Sequence, residues 1–332
     1  GRTSQMHTVQ LARRDLLLAT ASVAGGLAMP QIMTRAAHAD LPMAGVKSPG
    51  FKRFRLGEFE VTTLLDGLRP GDGPHPTFGA DQPAEVVAAL MEANFLPPDK
   101  FVNGFTPTLV NTGSELVLFD TGLGEAARPN GLGRLEENLI ASGYTPDQVS
   151  IVVITHMHGD HIGGLTGGET PAFPNARYVV GQIEYDFWTS PDRAGTPAEN
   201  NANAVRSKVQ PLADRMTFIA PGDDVVPGIS SIEAFGHTPG HLIFRLDSGG
   251  RQLILTADTA NHYVASLQRP DWEVAFDMDK ARAAETRKKV FDMIATDRLP
   301  FIGYHMPFPA IGYVERLDEG YRYVPATYQF DI

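Results

Sequence analysis

The stretch that decides the fold is Thr155-His156-Met157-His158-Gly159-Asp160-His161-Ile162-Gly163-Gly164. It directly follows residues 150–154, an apolar, β-branched segment that the pattern predicts to be a buried strand. His156 and His158 are two residues apart, so in extended backbone they point the same way and can share one metal ion. Asp160 and His161 are adjacent and diverge, which suits a second ion close by. Imidazole and carboxylate ligands together favour a borderline divalent metal such as zinc.

Composition restricts the possible functions. The net charge is −11, and no basic cluster follows residue 40, which disfavours a nucleic-acid partner. The chain has no cysteine, so disulfides, thiolate ligands and a cysteine nucleophile are all excluded. A chance clustering of polar loop residues is the alternative reading of the histidine stretch. With only ten histidines in 332 residues, that alternative is the weaker one.

The first 39 residues have the pattern of an export signal. Arg13 and Arg14 precede an apolar run, and Ala37-His38-Ala39 forms a small-x-small cleavage site. Paired arginines favour the twin-arginine route, so we expect a periplasmic or secreted protein. A membrane anchor is the alternative, but the apolar run is short for a bilayer span, and we expect no stable membrane insertion. Residues 40–53 are predicted to be an N-terminal arm and residues 54–332 a single domain.

The pattern before the histidine stretch predicts a hairpin, a loop, a helix and a second hairpin. The first hairpin turns at Gly57-Glu58, and residues 66–83 are rich in glycine and proline and predict a loop. Apolar spacing predicts a helix over residues 84–95. The second hairpin turns at residues 112–114 and ends at Asp120.

The second half of the chain repeats the pattern of a hairpin that ends in an aspartate. Another hairpin ends in Thr256-Ala257-Asp258-Thr259, just as the earlier one ends in Phe119-Asp120-Thr121. This weak internal similarity suggests two β–α halves that face each other across the metals. Between the hairpins, residues 182–189 are predicted to form a helix, whereas the polar segment 196–204 is predicted to be a mobile loop.

The stretch His-x-His-x-Asp-His after an apolar strand resembles the metal-binding motif of the metallo-β-lactamase superfamily. Three later residues are similar to the remaining motifs of that family in the same order: His237 within Gly236-His237-Thr238-Pro239-Gly240-His241, then Asp258, then His305. His241, His262 and His75 match no ligand position, and we expect ordinary hydrogen-bonded histidines there, although His262 is close enough to Asp258 to face the cleft.

The resemblance implies an αββα sandwich, in which two mixed β-sheets are flanked by helices, and a site for two metal ions. One ion would be held by His156, His158 and His237, the other by Asp160, His161 and His305, with Asp258 between them. A hydroxide bridging the ions would attack a carbonyl carbon or phosphorus, and Asp160 would pass a proton to the leaving group. Asp120 is expected to hydrogen-bond around the site without ligating. Zinc is the first choice, and manganese, cobalt and iron accept the same ligands.

Within the superfamily, the chain resembles the methyl parathion hydrolase group and its lactonase relatives. Four stretches carry this likeness: Gly131–Leu135, Ile154–His158, Asp186-Phe187-Trp188, and the C-terminal region from His305 through Phe308-Pro309 to Gly320–Pro325. The resemblance implies export and a homodimer. The chain departs from methyl parathion hydrolase in lacking aromatic residues after Asp120 and in segment 196–204. It also has Asn261 where small acyl-homoserine lactonases have a tyrosine, so their tyrosine-assisted mechanism does not transfer.

The expected substrate is a small, neutral, apolar ester or lactone, and an acyl-homoserine lactone is the preferred candidate. An aryl phosphotriester is the alternative. A β-lactam or a thioester is less favoured, since the β-lactamase branch with a cysteine ligand is excluded. A metal-binding protein without hydrolytic function is the second class of hypothesis, against which the complete ligand set argues. The predicted substrate pocket consists of Phe95, Phe105, Trp188, His262 and Phe308.

Overall fold

A computed structural model describes residues 42–45, 49–167 and 170–331. The chain divides into Gly1–Lys47 and a compact unit, Ser48–Ile332. The predicted export signal lies outside the described residues, and its cleavage site does too. Of the first unit, residues 42–45 are exposed and have no helix or strand.

Among the described residues of the compact unit, the N-terminal half contains eleven strands and five helices. They are β1 (Phe51–Leu56), β2 (Phe59–Leu64), β3 (Gly67–Asp72), α1 (Ala84–Ala93), β4 (Lys100–Phe105), β5 (Thr108–Asn111), β6 (Leu116–Phe119), α2 (Leu135–Ala141), β7 (Ile151–Ile154), α3 (Gly159–Ile162), β8 (Thr166–Gly167), β9 (Thr170–Pro171), β10 (Arg177–Gly181), α4 (Gln182–Thr189), α5 (Glu199–Lys208) and β11 (Met216–Ile219).

The C-terminal half adds seven strands and two helices. They are β12 (Asp224–Val226), β13 (Ile229–Glu233), β14 (Leu242–Ser248), β15 (Arg251–Ala257), α6 (Ala265–Gln268), α7 (Lys280–Asp297), β16 (Phe301–Gly303), β17 (Ile311–Arg316) and β18 (Tyr321–Pro325). Short 3-10 helices lie at Glu125–Asn130, Pro146–Gln148, Pro191–Arg193, Gln210–Arg215 and Tyr328–Asp331.

Two seven-stranded mixed sheets dominate the fold. The first has the order β1-β2-β5-β6-β7-β10-β11, and the second has the order β12-β13-β14-β15-β16-β17-β18. In each sheet an antiparallel hairpin is followed by a parallel neighbour: β5–β6 by β7, and β14–β15 by β16. The predicted internal repeat is therefore visible as topology. Strands β7 and β16 both lead directly into predicted metal ligands.

The sheets pack face to face through a core to which both contribute. Phe119 from the first sheet and Phe244 from the second have ring centroids 5.2 Å apart, and Val153 and Leu255 belong to the same buried cluster. Helix α7 covers the second sheet with residues such as Phe291. Helices α2, α4 and α5 cover the outer face of the first sheet with a separate buried cluster. The αββα fold class predicted from the sequence is confirmed.

Local sequence explains the strand and helix that position the site. All four residues of β7, Ile-Val-Val-Ile, are buried because the strand is central, with parallel neighbours on both sides. Helix α7 begins where the Asp279 side chain accepts a hydrogen bond from Arg282 N, 3.0 Å away.

Three local predictions differ from the structure. Strand β1 begins at Phe51, inside the predicted arm. Residues 66–83 contain strand β3, which pairs with β4 in a separate two-stranded sheet. The predicted mobile loop 196–204 is wrong, since α5 occupies most of it. This helix buries only Ala202 and Val205, so its apolar face is too narrow to stand out in a polar sequence.

The longest helix, α7, is rich in charged residues. Among the described residues, we find no helix with the length and apolar character that a bilayer crossing requires.

Candidate metal centre

The loop after β7 brings four polar side chains together at one end of the first sheet. His156 and His161 are fully buried there, while His158 and Asp160 are half-buried. Helix α3 begins at Gly159 directly after His158, so the chain turns between the two predicted ligand pairs. The second sheet faces this loop with His237, Asp258 and His305.

The predicted ligands fall into two groups. His156, His158 and His237 form one group, and Asp160, His161, Asp258 and His305 form the other. Within each group the ligand atoms lie within 4.8 Å of one another. The structure thus brings all seven predicted ligands to one place, although the sequence separates them by up to about 150 residues.

Asp258 lies between the groups. Its Oδ1 is 3.1 Å from His161 Nε2, and its Oδ2 is 3.2 Å from His237 Nε2 and 3.1 Å from His305 Nε2. His156 Nε2 is 3.8 Å from Oδ2. A carboxylate whose two oxygens face histidines of both groups is suited to bridging two ions.

Hydrogen bonds on the far side of the rings fix which nitrogen faces the centre. His161 Nδ1 donates to Asp120 Oδ2 at 2.8 Å, His237 Nδ1 donates to Asp277 Oδ1 at 2.8 Å, and His305 Nδ1 donates to Gly104 O at 2.8 Å. In each ring, Nε2 therefore faces inward as a potential ligand atom. This arrangement, in which an outer acceptor orients a ligating imidazole, is typical of protein metal sites.

The unsatisfied atoms of the centre also fit a metal. Within the described ranges, His156 Nε2, His161 Nε2 and Asp258 Oδ1 are buried and lack hydrogen-bond partners. Leaving buried polar atoms unpaired is costly, and these three point at the same small volume. Five imidazoles and two carboxylates form a donor set that suits borderline divalent ions. The residues present therefore fit two such ions.

Asp120 occupies the position predicted for it. It follows β6 with a left-handed backbone (φ 63°) and is fully buried. Its Oδ1 accepts from Thr155 N at 2.9 Å, and its Oδ2 accepts from Thr155 Oγ1 at 2.8 Å. The Thr155 hydroxyl in turn lies 3.1 Å from His156 Nδ1. Asp120 contacts no inward-facing nitrogen, so it orients ligands of both groups without being one.

Sequence reasoning missed a second orienting carboxylate, Asp277. Its Oδ2 accepts from Arg287 Nη2 at 2.6 Å, and Arg287 also donates to the carbonyls of Thr259 and Pro270. Arg287 was visible in the sequence as a charged residue on the apolar face of α7, between Ala284 and Phe291. Asp277 itself carries no local signal.

Glu184 on α4 was also missed. This buried carboxylate accepts four hydrogen bonds, from Met157 N, Trp188 Nε1, Thr238 Oγ1 and Gly240 N, at 2.7–2.9 Å. It therefore ties the loop that carries His156 and His158 to the loop that carries His237. The available signal was an acid one helical turn before a tryptophan on an apolar helix face.

Burial and neighbouring charges shift the pKa values of the side chains in the centre in opposite directions. Burial lowers the pKa of His158 to about 3. Burial opposes the charged form of His237 as well, but hydrogen bonds to Asp258 and Asp277 outweigh it and raise that pKa to about 9. For Asp160, burial is outweighed by the charge and hydrogen bond of His161, and the pKa is lowered. A metal ion must therefore displace a proton from His237 at neutral pH.

Beside the centre lies a cavity of about 650 Å³. Its walls come mainly from the two-stranded sheet of β3 and β4, from α1, and from the segments after Asp258 and after His305. Apolar residues dominate them, among them Leu68, Met91, Leu96, Phe101, Val102, Tyr263, Met306 and Phe308. His305 and Asn261 line it too, so the cavity reaches the metal centre. A smaller cavity of about 340 Å³ opens over the ligands themselves and includes Arg69, Asn103, Asn201 and Phe276.

The structure places only two of the five predicted pocket residues, His262 and Phe308, in the cavity wall. Phe95 is 99% exposed, because its left-handed backbone (φ 60°) at the end of α1 directs the ring to solvent. Phe105 is buried behind His305, with ring centroids 5.5 Å apart. Trp188 is buried behind His158, with centroids 6.0 Å apart. The prediction that Phe95, Phe105 and Trp188 line the cavity was therefore wrong. Phe105 and Trp188 instead pack against the rings of the predicted ligands His305 and His158.

His241 and His75, which match no ligand position, are hydrogen-bonded, as expected. His241 Nδ1 donates to Ala234 O at 2.9 Å, and its Nε2 accepts from Asp258 N at 3.1 Å. His75 Nε2 lies 3.1 Å from Gln82 O. Neither belongs to the ligand groups.

Comparison with known families agrees with this geometry. The model of the metallo-beta-lactamase superfamily matches residues 106–299, which is more than half of the chain. The chain belongs to the metallo-β-lactamase superfamily.

Similar proteins include N-acyl homoserine lactonases. One from Bacillus sp. is 29% identical over 173 residues, covering 46% of this chain and 62% of the relative. The lactonase AttM from Rhizobium radiobacter is 31% identical over 130 residues, covering 37% of this chain and 46% of the relative. The alignments thus span less than two thirds of these relatives.

Two similar solved structures extend over most of the chain. One is AidC, a dizinc quorum-quenching lactonase in complex with a product. It superposes with a TM-score of 0.78 and 26% sequence identity, and the match covers 84% of this chain and 98% of that chain. The other is the hydrolase AbOPH in the beta lactamase superfamily: TM-score 0.77, 28% identity, 85% and 99% coverage.

Proposed function

We propose that the protein is a hydrolase with two divalent metal ions that opens lactones bearing an apolar acyl chain. The observation that carries the proposal is the position of Asp258. It lies between two groups of ligand atoms and lines the smaller cavity, and it contacts Asn261 and His305, which line the cavity with apolar walls. A complete ligand set beside a substrate-sized cavity favours catalysis over metal storage.

Zinc is the first candidate metal, because the donors are imidazole and carboxylate and because AidC is described as a dizinc enzyme. When bound, two such ions supply a water nucleophile that is activated at neutral pH, and they polarise the carbonyl under attack. His156, His158 and His237 would hold one ion, and Asp160, His161 and His305 the other, with Asp258 shared.

Asp160 is the residue of this chain best placed to move a proton. Its side chain is 21% exposed and faces the smaller cavity, whereas Asp258 is nearly inaccessible. Oδ2 of Asp160 is 3.5 Å from both His161 Nε2 and His305 Nε2. Its lowered pKa keeps it a carboxylate at neutral pH, and its position, rather than its basicity, suits it to take up a proton from water and pass it to the alkoxide that leaves the opened ring.

The walls of the cavity select the substrate. Apolar surface comes from Leu68, Met91, Phe101 and Phe308. The two charged residues of the wall, Lys100 and Asp72, form an ion pair with each other. This environment suits a neutral substrate with an acyl chain. The N-acyl homoserine lactonases among the relatives support a lactone as the reacting group.

Aryl phosphotriesters are the second candidate. Two metal ions can direct water at a tetrahedral phosphorus as well as at a planar carbonyl, so the centre itself does not choose. The aromatic rings of Phe101, Tyr263 and Phe308 in the wall suit an aryl leaving group.

A substrate panel tests the proposal. Protein loaded with zinc, manganese or cobalt is assayed against N-acyl homoserine lactones, simple γ- and δ-lactones, an aryl ester, methyl paraoxon, a thioester and a β-lactam. We expect the highest kcat/KM for the acylated lactones, and a decrease of about tenfold or more when Phe101→Ala shortens the apolar wall. Asp247→Asn, at the exposed position of β14, is the matched control. Turnover of the β-lactam or the thioester alone would refute the lactonase proposal.

A further inference from the structure

The apolar cavity contains one imidazole that the metal centre does not use. His262 is 6% exposed, and its ring packs among other rings, 5.1 Å from Phe78 and 5.4 Å from Tyr263 between centroids. It lines the same cavity as His305 and Asn261. A nearly buried polar ring in such surroundings is expensive unless its nitrogens have partners.

The backbone fixes the tautomer of this ring. His262 Nδ1 accepts hydrogen bonds from Val264 N and Ala265 N, both at 3.1 Å. These are the amides two and three residues further on, so the imidazole caps the first turn of α6 as an N-cap side chain does. Because Nδ1 is an acceptor twice over, the ring proton must be on Nε2. His262 is therefore a fixed hydrogen-bond donor.

Nε2 of His262 has no hydrogen-bond partner among the described residues. The neighbouring Asn261 has the opposite deficit. Its Nδ2 donates to Asp258 Oδ2 at 2.9 Å, while its Oδ1 is buried without a partner in the described part of the chain. Two adjacent wall residues thus offer one unused donor and one unused acceptor.

We propose that His262 and Asn261 recognise a secondary amide in the substrate, with His262 Nε2 donating to the amide carbonyl and Asn261 accepting from the amide N–H. This inference rests on the proposed lactonase function and deepens it. The amide would lie between the reacting ring at the metals and the apolar chain in the cavity. A substrate without the amide would leave both groups unpaired, so the site selects N-acylated lactones over lactones that carry a plain alkyl chain.

Two substitutions separate the donor from the cap. In His262→Asn, the side-chain oxygen takes the place of Nδ1 and still accepts from the backbone amides, but the Nε2 donor is lost. In His262→Gln, the amide nitrogen takes the place of Nε2 and keeps a donor, but the cap is lost. His75→Asn changes a histidine outside the cavity and serves as the control.

The experiment compares zinc-loaded wild type and variants on N-hexanoyl-homoserine lactone and on a γ-butyrolactone with an alkyl chain of equal length at the same ring position. We expect His262→Asn to reduce the ratio of the two kcat/KM values about 10- to 100-fold. His262→Gln should retain most of the ratio while lowering the thermal midpoint. An unchanged ratio in His262→Asn overturns the inference.

Two further measurements do not depend on turnover. Nitrogen-15 spectra of histidine-labelled protein near pH 7 should show His262 as the Nε2–H tautomer, and the opposite tautomer contradicts the inference. Calorimetry should show that the ring-opened N-hexanoyl-homoserine binds wild type about tenfold or more tighter than its amide-free counterpart. If wild type opens neither lactone, the proposed function fails, and the inference is then decided by this binding difference, with equal affinities overturning it.

Discussion

Asp258 is the residue at which the polar contacts of the centre converge, since its two oxygens face histidines from both ligand groups. Ala257 before it has a left-handed backbone (φ 44°), an uncommon conformation for alanine. A strained residue next to a ligand is typical of sites where geometry is imposed by the surrounding fold.

Asp258→Asn should therefore remove at least one of two bound ions and lower kcat/KM by about three orders of magnitude or more, because the amide cannot bridge two cations. Metal content is measured by inductively coupled plasma mass spectrometry after gel filtration. Asp247→Asn, a surface change in the same half, should retain both ions. Two ions and full turnover in Asp258→Asn would disprove the bridging assignment.

His262 also carries a prediction about pH. Burial lowers its pKa to about 4 from an ordinary value of 6.5, so the folded state holds it neutral. Above pH 6.5 the ring is neutral in both states. As the pH falls from 6.5 towards 4, the unfolded chain takes up the proton first, and stability is lost. Near pH 4, the free energy of unfolding is lower by about 3 kcal/mol than it is above pH 6.5.

His262→Asn removes this titration. The free energy of unfolding of chelator-treated protein is measured with urea between about pH 7 and pH 4. Over this range, wild type should lose about 3 kcal/mol more of this free energy than the variant does. His75→Asn should run parallel to wild type. A constant difference between wild type and His262→Asn across this range would contradict the buried neutral histidine.

At the scale of elements, helix α4 connects the two loops that carry the first ligand group. Four donors from three segments converge on the Glu184 carboxylate, and burial raises its pKa although the hydrogen bonds oppose that shift. The loops after β7 and β13 belong to different sheets, so this side chain sets the distance of His158 from His237, whose nearest ring nitrogens are 3.0 Å apart.

Glu184→Gln should weaken both stability and metal binding. Glutamine would replace one acceptor oxygen by an NH₂ group, which would face N–H or hydroxyl donors of the loops and could not accept from them. At least one buried donor would then lack a partner, which lowers the free energy of unfolding by about 1–3 kcal/mol for each such group. Urea unfolding and zinc competition with a fluorescent chelator measure the two effects. Glu58→Gln in the exposed β1–β2 turn is the control. Wild-type zinc affinity in Glu184→Gln would show that the loops keep their positions without this residue.

At the scale of the whole molecule, metal ions bound by the predicted ligands between the two sheets would link metal binding to stability. Ligands come from the ends of both sheets, so unfolding destroys the site. A ligand that binds only the folded state stabilises it by about 4 kcal/mol at a thousandfold excess over Kd. We expect chelation to lower the thermal midpoint by roughly 10 °C and added zinc to restore it, as measured by differential scanning calorimetry. An unchanged midpoint would argue against metal ions between the sheets.

Export remains a proposal that concerns the chain outside the described residues. We expect mature protein beginning near Asp40 in the periplasm. Because the twin-arginine pathway requires its arginine pair, replacing Arg13 and Arg14 by lysine should leave precursor in the cytoplasm. Immunoblots of cell fractions measure this, with Lys47→Arg as the control. Normal export of the double variant would exclude that route.

The sequence was sufficient to predict the sandwich and to select seven residues that the structure brings together, because those residues follow apolar strands and occur in a recognisable order. Their role as ligands stays a prediction. It was insufficient wherever a residue acts through distant partners. Asp277 becomes an orienting carboxylate only because α7 places Arg287 beside it. Phe95 fails as a wall residue because one backbone angle at the end of α1 turns its ring outward. Helix α5 forms in a polar segment because tertiary packing on α3 and α4 outweighs weak local preference.

One part of the cavity wall comes from a region of the chain that supplies no predicted ligand. Leu68, Met91, Phe101 and Val102 lie on strands β3 and β4 and on α1, which contain none of the seven predicted ligands. In evolutionary terms this part of the wall is modular: mutations can accumulate there while the predicted ligands are kept. Descendants of one ancestor can therefore diverge in what they accept while inheriting the same chemistry. A library confined to these four positions would explore new specificities from a catalyst that stays intact.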